Sequence, residues 1–88
     1  MKLHELKIQR KFWIEIVNGY KTFEVRKDDR GYQEGDLINF NVIQENGSIK
    51  KSSWDVYQIT YILRHEDFPE GVPEGYCILA IKELEEAK

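Results

Sequence analysis

The sequence predicts a mainly β domain of the α+β class: a small, partly open antiparallel β-barrel with one N-terminal helix. Three observations predict it. Only one stretch, Arg10 to Asn18, carries apolar residues at helical spacing. Several short stretches alternate apolar and polar residues as half-buried strands do. Between two of them lies Asn46-Gly47, the pair best suited to the positive φ angles of a tight hairpin turn. Short strands joined by hairpins after a single early helix fit a small barrel.

Each element can be justified in order. Lys2 to Ile8 alternates, with His4, Leu6 and Ile8 on one side and Leu3, Glu5 and Lys7 on the other, as a first strand requires. A histidine on an apolar side reads first as a packed, hydrogen-bonded core residue. In the helix, Phe12 with Ile16 and Trp13 with Val17 form one wide apolar stripe that plugs an end of the sheet. Asn18-Gly19 ends it. A strand over Thr22–Arg26 follows without a loop, and its alternation points Phe23 and Val25 into the core and Thr22, Glu24 and Arg26 outward. Charged turns at Lys27–Gly31 and Glu34–Asp36 lead to a strand over Leu37–Gln44, with Ile38, Phe40 and Val42 on one face and Asn39 and Asn41 on the other. Beyond the hairpin, Trp54 to Arg64 reads as a long strand, Trp54, Val56 and Ile62 facing one way and Tyr57, Ile59, Tyr61 and Leu63 the other. Apolar residues on both faces suit a strand covered twice or bent at a barrel corner. His65–Glu74 is an acidic loop with Pro69 and Pro73, Gly75–Leu84 the last strand, and Glu85–Lys88 a frayed tail.

The chain has 88 residues, which suits one domain over 1–88. A domain of this size buries only about 60–65% of its unfolded surface, so the core needs bulk, and four Phe, five Tyr and two Trp supply it. The lone Cys77, among Tyr76, Ile78 and Leu79, reads as a buried, inert thiol. No signal peptide or membrane-spanning run is evident, and the expected compartment is the cytoplasm. The net charge of −3 argues against strong non-specific nucleic-acid binding. That charge is uneven: residues 1–30 hold eight cations against five anions, which leaves −6 for the rest. A basic front on an acidic body suits a small phosphate-bearing ligand or a short strand.

Chemistry concentrates in Gly19-Tyr20-Lys21-Thr22-Phe23-Glu24-Val25-Arg26. As a plain solvated strand, it would offer a same-face Glu24–Arg26 pair contributing roughly 0.5 kcal/mol. Elsewhere the signals are weak. His4, His65 and Cys77 lack metal-ligand spacing, no Gly-rich phosphate loop occurs, and Ser48, Ser52 and Ser53 lie in a polar turn region. No cofactor or metal is expected.

Gly19, Lys21, Glu24 and Arg26 match the G-x-K-x-x-E-x-R pattern, and the chain thereby resembles the ASCH (activating signal cointegrator homology) superfamily, whose fold is a PUA-like β-barrel. His4–Lys7, Arg26–Arg30 leading to Gly35-Asp36, Ile59–Leu63 and Gly75-Tyr76 extend the resemblance over nearly the whole chain, toward a small bacterial and phage branch. The resemblance implies a cleft between barrel and helix that binds RNA or a nucleotide. Lys21 and Arg26 would hold phosphate or carbonyl groups, Glu24 would accept from a base or steady Arg26, and His4, Lys7 and Arg30 would border the site. Tyr20, Tyr32, Trp54 and Tyr76 are the candidate stacking partners, although each reads first as a core residue. A few ASCH members are hydrolases of acylated cytidine such as N4-acetylcytidine. By that likeness Lys21, Thr22 and Glu24 are candidate catalytic residues of an amidohydrolase, although Glu24 stands where those enzymes carry their Thr. A third expectation, from the acidic loop and net charge, is a protein-interaction module.

Overall fold

The computed structural model describes residues 1–84, apart from the side chains of residues 51–55. Along the chain come β1 (Leu3–Gln9), α1 (Arg10–Val17), β2 (Phe23–Lys27), β3 (Leu37–Ile43), β4 (Ile49–Arg64) and β5 (Tyr76–Glu83). The candidate stacking residue Trp54 has its side chain outside this description, and so does the expected tail Glu85–Lys88.

The strands form one sheet in the order β1-β3-β4-β5-β2, curled into a half-barrel. The fold is therefore mainly β with one short helix, as the patterning predicts. One expectation needs correction: the sheet is not wholly antiparallel. β1 runs parallel to β3, from Leu3 opposite Leu37 to Gln9 opposite Ile43. The chain leaves β1 through α1 and β2 and returns to the beginning of β1 before entering β3, a crossover long enough for parallel pairing. The remaining pairs are antiparallel.

Alternation places His4, Leu6 and Ile8 of β1 inside, together with Ile38, Phe40 and Val42 of β3 and Cys77, Leu79 and Ile81 of β5, while Asn39 of β3 is buried as well. The Asn-Gly hairpin forms as expected between β3 and β4: Gly47 has φ +86° and Gln44 N–H donates to Ser48 O at 2.7 Å. β4 begins at Ile49 rather than Trp54, and its faces differ from simple alternation. An irregularity in pairing with β5 falls between Ile59 and Tyr61. The extra residue shifts the phase, so Ile62 is buried with Tyr57 and Ile59 while Tyr61 is exposed.

α1 covers β1 and β3 through a narrower stripe than its sequence suggests. Ile16 is buried, and Trp13 packs against Phe40 and Tyr57 at ring-centroid distances of 5.7 and 6.1 Å. Phe12 and Val17 remain exposed. Asn18 caps the helix, and Gly19 reverses the chain at φ +81°.

Candidate functional site

β2 is the element whose faces the sequence pattern inverts. Phe23 and Val25 are exposed, at 46% and 53%, whereas Glu24 is buried at 6%. The cause lies in the partner strand. Glu24 pairs with Leu79 and Arg26 with Cys77, both on the inner face of β5. Residues directly opposite share a face, so β5 dictates which side of β2 turns inward. At this edge the interior is completed by charged side chains.

Their partners make that possible. Lys21 Nζ donates to Glu24 Oε1 and, at 2.6 Å, to Phe23 O. Arg26 Nε donates to Glu24 Oε2 at 3.0 Å. One buried carboxylate thus holds two cations, which offset the cost of removing it from water. The turn after α1 delivers the lysine: Tyr20 and Lys21 N–H groups both donate to Glu15 O, folding the chain back beside the helix end.

β1 and β2 are the two edges of the curled sheet, and no Cα of one lies within 8 Å of a Cα of the other. Paired strands lie about 4.8 Å apart, so this seam is too wide for backbone hydrogen bonds. Arginines span it. Arg26 Nη2 donates to Lys7 O, and Arg30 Nη1 donates to Glu5 O at 3.0 Å. The two carbonyls alternate along β1 and lie on its edge away from β3.

Beside the seam opens a cleft of about 620 Å³ between β1, α1 and β2. Lys7, Lys21, Glu24 and Arg26 line it, as the resemblance implies, and so do Phe12, Tyr20 and Phe23. Lys21 Nζ lies 5.7 Å from the Phe12 ring centroid and 5.0 Å from that of Phe23, within cation–π range. Phe12, Phe23 and Val25 are among the lining residues that sequence reasoning misses, because apolar periodicity places all three in the core; Ile8, Gln9 and Glu15 carry no sequence signal for the site. The inward run Cys77, Leu79, Ile81 is the signal that could have reversed β2, had its pairing partner been known.

Other candidates stand elsewhere. Thr22 is exposed and is not part of the cleft lining. His4 is buried and hydrogen-bonded through Nε2 to Asp36 Oδ2 at 2.9 Å, with its ring 4.7 Å from that of Tyr32. Neither ring reaches the cleft. Arg30 meets β1 at the seam but does not line the cleft, and Tyr76 sits outside it. Asp36 also accepts from the backbone N–H groups of Lys2 and Gln33, each at 3.0 Å. Burial alone would raise its pKa, but these hydrogen bonds and His4 outweigh burial and hold the carboxyl below its ordinary value. Burial, aided by Asp28, pushes the Cys77 thiol up to about 11, in keeping with an inert side chain. Among the described residues no group of three His, Cys, Asp or Glu could hold a metal ion, and no helix is long and apolar enough to cross a membrane.

Residues 3–81 match a family described as a domain of unknown function, DUF3850. No curated protein matches the chain.

Proposed function

The chain belongs to the DUF3850 family, and from that premise we propose that it is a PUA-like module of the ASCH type that binds RNA or a nucleotide, in the cytoplasm, through the cleft between β1, α1 and β2. One observation carries the reading. Lys21 and Arg26 converge on buried Glu24 at the cleft wall, each with N–H groups left over for a ligand. Two cations gathered on one carboxylate beside exposed aromatic rings suit a ligand that joins negative charge to a flat face. The basic front noted in residues 1–30 supports the same ligand class.

The hydrolase alternative lacks a support of this kind. It would use Lys21 with Thr22 and Glu24 on an acylated nucleoside, yet Thr22 lies off the cleft. The geometry favours holding over cutting. The interaction-module alternative rests on the acidic loop, and the cleft adds nothing to it.

The test is binding of short single-stranded RNAs and mononucleotides at low salt and at raised salt. We expect salt-sensitive binding that falls about tenfold in Lys21→Ala and in Arg26→Ala, the loss of one charge-assisted contact. Unchanged affinity in both variants would sink the reading. Release of free acid from an acylated cytidine would replace it with the hydrolase.

A further inference from the structure

The polar groups of the cleft are unequal in kind. Glu24 is engaged at both oxygens, Oε1 by Lys21 and Oε2 by Arg26, and its side chain is 8% exposed. Lys21 has used two of its three N–H donors, and Arg26 two of its five. What the inner wall offers a ligand is therefore chiefly donors, since little of Glu24 is exposed, and the other acceptor side chains of the lining are those of exposed Gln9, Glu15 and Tyr20. A group carrying its own N–H donors would meet like against like there, and a buried donor without a partner is costly. A group presenting adjacent acceptors would be satisfied.

The apolar walls narrow the choice. Phe12 comes from α1 and Phe23 from β2, and both rings approach Lys21 from the cleft sides. They are 41% and 46% exposed, so neither is needed to fill the core. The volume of about 620 Å³ lies within the usual range for small-molecule sites, roughly 300–1,000 Å³. Among the bases, guanine offers two adjacent acceptors, O6 and N7, on one edge and matches the fork of an arginine. Adenine and cytosine place an amino group on the corresponding edge, and uracil offers one carbonyl there.

We propose, resting on the nucleotide-binding reading, that the cleft holds one unpaired guanine, stacked on Phe12 and Phe23 and reached on its O6/N7 edge by Arg26 and Lys21. A base must be unpaired to enter, because stacking on side chains replaces stacking in a duplex. Phe12 and Phe23 are then affinity-determining residues, and donor-only Lys21 and Arg26 set base choice.

The experiment is an NMR titration of the full chain at low salt with GMP, AMP, UMP and CMP, then with the trinucleotides UGU and UAU. It is run on wild type, Phe12→Ala, Phe23→Ala and Phe23→Tyr. We expect GMP to bind about tenfold more tightly than AMP or CMP, with UMP between. The guanine H8 resonance should move upfield on stacking, a readout that needs no variant. Each alanine variant should weaken GMP about tenfold, and Phe23→Tyr, which keeps the ring, should not. Binding of GMP alone at the strength of UGU identifies a free nucleotide, and binding of UGU without GMP identifies a strand; both support the proposal. Binding that needs Lys21 and Arg26 but ignores the base, or survives both alanine variants, overturns the guanine site and leaves the nucleotide-binding reading intact. Failure of every nucleotide and trinucleotide to bind overturns both.

Discussion

Two carboxylates in this half-barrel are almost equally buried, Asp36 4% and Glu24 6% exposed, yet their surroundings differ. Asp36 accepts from two backbone N–H groups and from His4, in a closed corner where the start of β1 meets the turn before β3. Glu24 accepts from two long cationic side chains that border an open cleft. Backbone donors cannot move without moving the strand. Side-chain cations can turn toward a ligand and keep part of their hold on the carboxylate. Burial of a charge therefore does not distinguish architecture from function; the mobility of its partners does.

That contrast can be broken by mutation. Asp36→Ala strands three donors at once, and the expected loss is about 3 kcal/mol or more of folding stability, read from urea denaturation. Glu24→Gln keeps an acceptor and should cost about 1–2 kcal/mol, while freeing Lys21 and Arg26 for any anion. Equal losses at the two positions would mean that Glu24 is architectural too. pH sharpens the comparison next. The folded-state pKa of Asp36 lies below its ordinary 3.8, so its contribution is present above that value and disappears as pH falls through the folded pKa. Wild type should therefore lose more stability than Asp36→Asn over the descent from about pH 5 to pH 2. The same acid slope in both would assign it to other carboxylates. The smallest effect concerns the thiol opposite Arg26. With its pKa raised from 9.0 to about 11, Cys77 favours folding below the unfolded value and loses that contribution as pH climbs toward 11. A thiol reagent at pH 8 should label Cys77 in the native chain far more slowly than in the urea-unfolded chain.

How much of this was legible in the sequence follows the range of the interactions. β1 could be read because His4, Leu6 and Ile8 alternate without interruption, and the packed role of His4 followed from its neighbours. The hairpin at Asn46-Gly47 was equally local. The clustering of Lys21, Glu24 and Arg26 was legible from spacing, but its direction was not. Apolar Phe23 and Val25 looked like core, and the strand that reverses them lies more than fifty residues away. The parallel pairing of β1 with β3 was hidden for the same reason: it depends on where the chain returns after α1 and β2. In β4 a single irregularity near Thr60 changed which residues face inward, and no periodicity anticipates it.

The seam has one further consequence, for solubility. An uncovered strand edge is a template on which a second molecule can grow the sheet, and small β proteins must deter that. Here Arg26 and Arg30 cap two successive outward carbonyls of β1 and set positive charge along the edge. Arg26 keeps further N–H groups beyond those given to Glu24 and Lys7 O, so a ligand in the cleft can be held with the cap in place. The guanidinium that lines the cleft thus also deters growth of the sheet from β1, so loss of Arg26 should raise self-association as well as weaken binding.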